Sequence, residues 1–239
     1  MRELFLKKGI WLSVLIGFVV FVLGIPFAEV KPPMAAGNFL TFYQRALQSK
    51  MSVFFIPVLA SFPTGAVYVQ EKSSGFLKLY SIRISRMEYI KKKLVQSYIS
   101  GFLPFFWAGL LAFFACFLFL YPLERIGRID GKEVWDCFFL LIRICAVGGI
   151  LAELSGSFAA LFQSYYMAYG LAFVCYYLLI ILKERYLPEL YAMYPVEWIL
   201  CEENWGSDGS GIWIFFLAFT MAAVLLHGLL LYERIRELI

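Results

Sequence analysis

Charge is what this chain has least of. Only 16% of its 239 residues are Asp, Glu, Lys or Arg, against 62% apolar and 19% aromatic, with a mean hydropathy of +0.77. A soluble domain carries about 25% charged and about 45–50% apolar residues. This much apolar surface would aggregate in water unless lipid covered it, so the chain is an integral membrane protein. A nucleic-acid partner is excluded as well, because that needs a basic face on a soluble fold. Five cysteines, Cys116, Cys137, Cys145, Cys175 and Cys201, form an odd set with no CxxC spacing. That argues against a disulfide framework and a zinc site; they read as small apolar residues.

Other signatures are missing too. The chain holds no GxxxxGK[ST] loop; Gly127-Arg-Ile-Asp-Gly131-Lys132-Glu133 is one residue short and ends in Glu, so it is not a phosphate site. No Ser–His or Ser–Lys pair stands at one membrane depth, which argues against an intramembrane hydrolase. Nothing here indicates an enzyme or a bound cofactor. With no internal repeat and no low-complexity linker, residues 1–239 read as one transmembrane domain.

What is present is a series of apolar runs. A membrane helix needs roughly 20 apolar residues, and six stretches qualify: about 10–28, 51–70, 95–121, 135–162, 166–182 and 212–232. Pro57, Pro63 and Pro104 are expected to kink their helices without ending them. The first run has a competing interpretation as a signal peptide, with Met1–Lys8 as basic region and Pro26-Phe27-Ala28 near a cleavage site. Proline fits such a site poorly and the run is long, so it is read as a retained span.

Basic residues are unevenly placed, and Lys and Arg are held on the cytoplasmic side. Residues 71–93 carry seven of the 21 Lys and Arg: Lys72, Lys78, Arg83, Arg86, Lys91, Lys92 and Lys93, against Glu71 and Glu88. With both termini inside, the inner segments hold twelve basic and five acidic residues, and the outer ones seven basic and eleven acidic. Within the inner loop Phe76, Leu79, Tyr80, Arg83, Ile84 and Met87 recur at three- and four-residue steps, so 72–93 is expected to be an amphipathic helix along the membrane surface. A plainer account is a solvated loop that holds topology and touches anionic lipid.

Glu71-Lys-Ser-Ser-Gly75, then Ser81-Ile-Arg83-Ile-Ser-Arg86-Met-Glu-Tyr89, then Lys93, resembles the first cytoplasmic loop of type-2 permeases of ATP-binding-cassette transporters. Glu184-Arg185-Tyr186-Leu-Pro188 with Tyr194-Pro195-Val-Glu-Trp198 is similar to their outer segment before the sixth span. The resemblance implies an all-α fold of six spans with cytoplasmic termini, a coupling helix between spans 2 and 3, and short re-entrant helices before span 6. It implies a multi-pass protein of the bacterial cell membrane that pairs with a second permease copy, identical or not, and moves a lipid-like, peptide or other amphipathic substrate, such as an antimicrobial. Each copy would seat a separate ATP-binding subunit, which would hold ATP and Mg and do the hydrolysis. Glu71, Gly75, Phe76, Tyr80, Arg83, Arg86 and Tyr89 would form the coupling site, Glu71 setting the angle to the second span and Gly75 allowing close approach. The alternative from another class is a membrane sensor or assembly factor that binds a cytosolic partner through the 71–93 loop and transports nothing. A channel is disfavoured, since no ring-forming set of charges is evident.

Inside the spans the ionisable residues are Arg143, Glu153 and His227, too few for a proton-coupled pump. Glu153 stands beside Ser155-Gly156-Ser157, where a bare charge costs roughly 2.5–3.5 kcal/mol. Glu153, Ser155 and Ser157 line a substrate path or subunit seam in the functional reading; in the preferred one Glu153 is a hydrogen-bonded structural residue. His227 has no Cys, His or Asp partner at ligand spacing and reads as a packed or hydrogen-bonded residue. Arg143 is expected to snorkel outward near Asp136. Gly148, Gly149, Ala152, Gly156, Ala159 and Ala160 give the fourth span a small-residue surface and place it inside the bundle. The acidic outer segment 184–211 would favour cationic peptides.

Overall fold

A computed structural model describes residues 8–63, 65–77, 84–125, 127, 129–206 and 210–237. Its helices are α1 (Lys8–Leu23), α2 (Asn38–Leu47), α3 (Lys50–Ser61), α4 (Val67–Ser73), α5 (Arg86–Leu120), α6 (Gly131–Phe162), α7 (Tyr165–Arg185), α8 (Glu197–Leu200) and α9 (Gly211–Arg236). No strand occurs among the described residues; Met34 and Glu124 form an isolated bridge. Five segments, containing α1, α5, α6, α7 and α9, are long and apolar enough to cross a membrane. The chain is therefore an all-helical, multi-pass membrane protein.

The remaining expected span, 51–70, is divided. α3 has 12 residues and reaches about 18 Å, short of the roughly 30 Å hydrocarbon core. Residues 62–63 and 65–66 are not helical, and the helix resumes as α4. Pro57 is accommodated inside α3, and Pro104 inside α5, as expected. Pro63 is not: the helix ends just before it, at a position where proline can neither donate nor clear the preceding turn. Irregular backbone at membrane depth is tolerated where protein covers it, and Pro63, Gly65 and Ala66 are buried. Gly65 fits so closely that a Cβ there would collide with Ser155 Oγ.

α6 is the centre of the bundle, packed by α5, α9, α7 and α3. Glycines let the α5 and α6 backbones meet: a Cβ on Gly101 would collide with the Gly148 carbonyl oxygen. Ser97 Oγ, also on α5, donates to Ala152 O at 3.1 Å. Van der Waals packing of small residues and a few hydrogen bonds between helices replace the hydrophobic drive that lipid removes.

The end of the bundle carrying residues 71–77 and 84–93 is the loop end. α4 is joined there to the end of α6 by Lys72 Nζ, which donates to Gln163 Oε1. The end of α9 is held there too, because Arg234 donates to Ala160 O at 3.2 Å and Leu161 O at 2.9 Å.

At the opposite end, α2 is a helix that lies outside all six expected spans. Its N-terminal amides are capped from across the chain: Gly37 N and Phe39 N donate to the Glu124 carboxylate at 2.9 and 2.5 Å. Such an acceptor suits the positive end of a helix. Phe39, Leu40, Tyr43 and Leu47 are buried, and Tyr43 OH donates to Gly109 O at 3.1 Å.

Candidate functional site

Two polar clusters stand against the apolar background. The first is at the loop end. Glu71, near the end of α4, accepts from Tyr89 OH at 2.7 Å and from Lys93 Nζ, both on α5. The Lys93 and Glu71 side chains are only 14% and 19% exposed, so this pair escapes most of the screening that weakens surface ion pairs. Helical spacing explains the arrangement, since residues four apart share a face and Tyr89 and Lys93 present one clamp to Glu71.

The expected continuous helix over 72–93 is interrupted. Ser74 and Gly75 make a turn, with Gly75 at φ +72°, a left-handed conformation that glycine adopts without strain. Leu77 is buried with Tyr68, Val69, Tyr89 and Ile90, while Phe76 is exposed. Tyr80 and Arg83 lie outside the described residues, as does the rest of 78–83 in the middle of the expected coupling helix. Ser85 caps α5, its Oγ accepting from Glu88 N at 3.3 Å. Arg86 and Tyr89 thus belong to the first turn of a 35-residue helix, which starts well before the expected span boundary at 95. A left-handed glycine and a Ser N-cap overrule the apolar periodicity, which ran through both.

The second cluster lies inside the bundle. Glu153 Oε2 on α6 is 2.5 Å from His227 Nδ1 on α9, with side chains 0% and 5% exposed. Both residues are hydrogen-bonded across neighbouring helices, and what the sequence reading did not anticipate is that each is the other's partner. Gly149 and Gly156 flank Glu153 on the same helix face and make room for aromatic rings. A Cβ on Gly156 would collide with His227 Cε1, and one on Gly149 would stand 2.7 Å from Tyr98 Cε2. Helical depth was the overlooked signal. Glu153 is nine residues before the end of α6, and His227 nine before the end of α9; with both ends at one level, equal rise brings the two side chains together.

Ser155 and Ser157 are committed to backbone. Ser155 Oγ donates to Ala168 O at 2.6 Å, across the seam with α7, and Ser157 Oγ to Glu153 O at 2.9 Å.

Arg143 is half-buried, with Asp136, Glu197 and Cys201 as its electrostatic neighbours. Glu197 is buried and accepts from Glu203 N at 2.8 Å and Trp205 Nε1 at 3.0 Å. Glu184 accepts from Tyr194 OH at 3.1 Å. Two of the outer carboxylates therefore hold their own segment, leaving Glu189, Glu202 and Glu203 exposed. Among the described residues no group of three or more His, Cys, Asp or Glu side chains is placed to hold a metal ion. No protein-family model matches the chain, and no curated protein matches it significantly.

Proposed function

We propose that this chain is the membrane-spanning permease subunit of a bacterial exporter of the type-2 ATP-binding-cassette class. It works in the cell membrane as one of two permease copies, each seated on a separate subunit that hydrolyses ATP. Its cargo is a lipid-like, peptide or other amphipathic compound. The observation that carries this reading is the Glu71 clamp. One carboxylate on α4 holds two side chains of α5 directly beside the loop, so a push on residues 74–85 reaches both helices together. A loop serving only to retain positive charge has no need of a half-buried, clamped carboxylate at its base. The all-helical fold and the absence of a phosphate-binding motif from the sequence agree with an energy source on a partner chain.

The test is co-purification from native-level membranes in gentle detergents, with the intact chain beside Glu71→Ala and Arg86→Glu variants. An ATP-binding-cassette ATPase should co-elute with the intact chain, and the variants should lose it or uncouple its hydrolysis. If no ATPase is recovered under any gentle condition, the exporter reading fails, and a non-transporting sensor or assembly factor that uses the same loop takes its place.

A further inference from the structure

His227 faces more than Glu153. Together with Tyr68, Lys93, Gln96 and Ser97 it lines a cavity of about 20 Å³ between α4, α5, α6 and α9. That is room for one water, which needs about 10–15 Å³ and two to four polar partners. The break around Pro63 helps to open this space, since Gly65 is part of the wall. A buried oxygen of a wall residue, Tyr68 Oη, has no hydrogen-bond partner among the described residues, and Glu153 Oε1, which is not part of the wall, has none either. Lys93 spans the distance from the cavity to the loop end, where its ammonium meets Glu71. Glu71, Lys93, the cavity, His227 and Glu153 thus form one polar sequence from the bundle's edge to its interior.

We infer that the Glu153–His227 pair is a proton-binding site reached from the loop end through a water held in this cavity. In the unloaded pair the imidazole is neutral, its Nδ1–H donating to the Glu153 carboxylate, and the pair carries one negative charge. A proton from bulk water passes to the cavity water and then to His227 Nε2, the ring nitrogen that Glu153 does not hold. The product is an imidazolium–carboxylate pair with no net charge, and release retraces the same steps. No bond other than N–H and O–H changes, and no oxidant or reductant is needed.

The groups facing the site from its neighbours are Lys93 and Tyr98 of α5 and Tyr68 of α4, with Glu71 beyond Lys93. On α9, Arg234 is bound to the Ala160 and Leu161 carbonyls, and on α6 itself the nearest other charge is Arg143. Of these, Lys93 shares the cavity wall with His227, so a proton on His227 places a second positive charge beside Lys93. Lys93 then depends more strongly on Glu71, which links occupancy of the site to the base of the loop. The inference stands whichever partner engages that loop.

The chain has one histidine, so a single ring signal reports the site without assignment. The experiment is nuclear magnetic resonance of the full chain in lipid nanodiscs with isotope-labelled histidine, titrated between about pH 5 and pH 8, where imidazoles change charge. The ring should titrate as one proton, with an Nδ1 signal showing a strong hydrogen bond, and should show contact with mobile water. Glu153→Gln, which removes the carboxylate facing Nδ1, should make the protonated ring less favourable and so move the transition to lower pH. Tyr68→Phe, which keeps the packing and removes a cavity oxygen, should weaken the water contact. A ring signal that does not change with pH overturns the inference from the intact protein alone. So does a midpoint indifferent to Glu153→Gln, or a ring with no water contact. None of these readings depends on an ATPase being present.

Discussion

The two ends of the bundle are held together by different physics. At the loop end the joints are charges and hydrogen bonds over long side chains: Lys93 and Tyr89 to Glu71, Lys72 to Gln163, and Arg234 to the last carbonyls of α6. At the opposite end the joints are mainly rings, and the ion pair there, Arg45 with Glu29, is exposed to solvent. Trp198 packs on Phe215 and Phe219, Trp205 on Tyr191 and Phe215, and Phe39 on Phe113, Phe117 and Tyr121. The carboxylates there, Glu124 and Glu197, accept from amides and an indole, with no cation among their hydrogen-bond donors in the described residues. Ion pairs rearrange at small energetic cost, whereas interdigitated rings must unpack. The contrast agrees with the proposed function, in which a partner pushes on the loop end.

Three substitutions sharpen or break that contrast. The largest effect is expected from Trp198→Ala, which removes a buried ring and its Nε1–H bond to Ala192 O at 2.8 Å. It should lower stability by roughly 3 kcal/mol, measured by reversible unfolding in mixed micelles, with no dependence on salt. A loss below about 1 kcal/mol would mean that the rings do not hold the closed end.

Next is Glu197→Ala. It leaves the Trp205 indole N–H and the Glu203 amide without their acceptor, which should cost about 1–3 kcal/mol and make the 201–206 segment exchange amide hydrogens faster. Unchanged exchange would show that ring packing alone holds the segment.

The smallest effect belongs to Tyr89→Phe. One hydrogen bond to Glu71 is lost while Lys93 remains, so stability should fall by about 1 kcal/mol. Because the surviving Lys93–Glu71 pair is largely sheltered from salt, the loss should change little with ionic strength. If this variant proved as damaging as Trp198→Ala, the two ends would not differ in kind.

Much of the candidate site was legible one residue at a time. Glu71, Tyr89 and Lys93 were singled out through the resemblance to a permease loop, and that they meet was visible only in the structure. The amphipathic pattern over 72–93 misled, because apolar recurrence records which side is buried and not whether the chain is continuous. Gly75 and Ser85 each carried the interruption in plain view. The α2 helix had its own pattern, with Phe39, Leu40, Tyr43 and Leu47 at helical steps, hidden only by the polar residues around it. Glu153 and His227 lie 74 residues apart; spacing along the chain says nothing about such a pair, while depth within each helix does.

Composition by itself determined that this chain belongs in a membrane and is helical, since lipid offers the backbone no hydrogen bonds and the apolar runs have spanning length. Small residues along 148–160 likewise determined which helix lies inside. Only the tertiary structure decided that the stretch around Pro63 is a break and that one histidine completes one buried acid. Only it decided that a water-sized cavity joins that pair to the loop. These depend on how helices lie side by side, and neighbours across a bundle are set by packing geometry, which no local run of residues encodes.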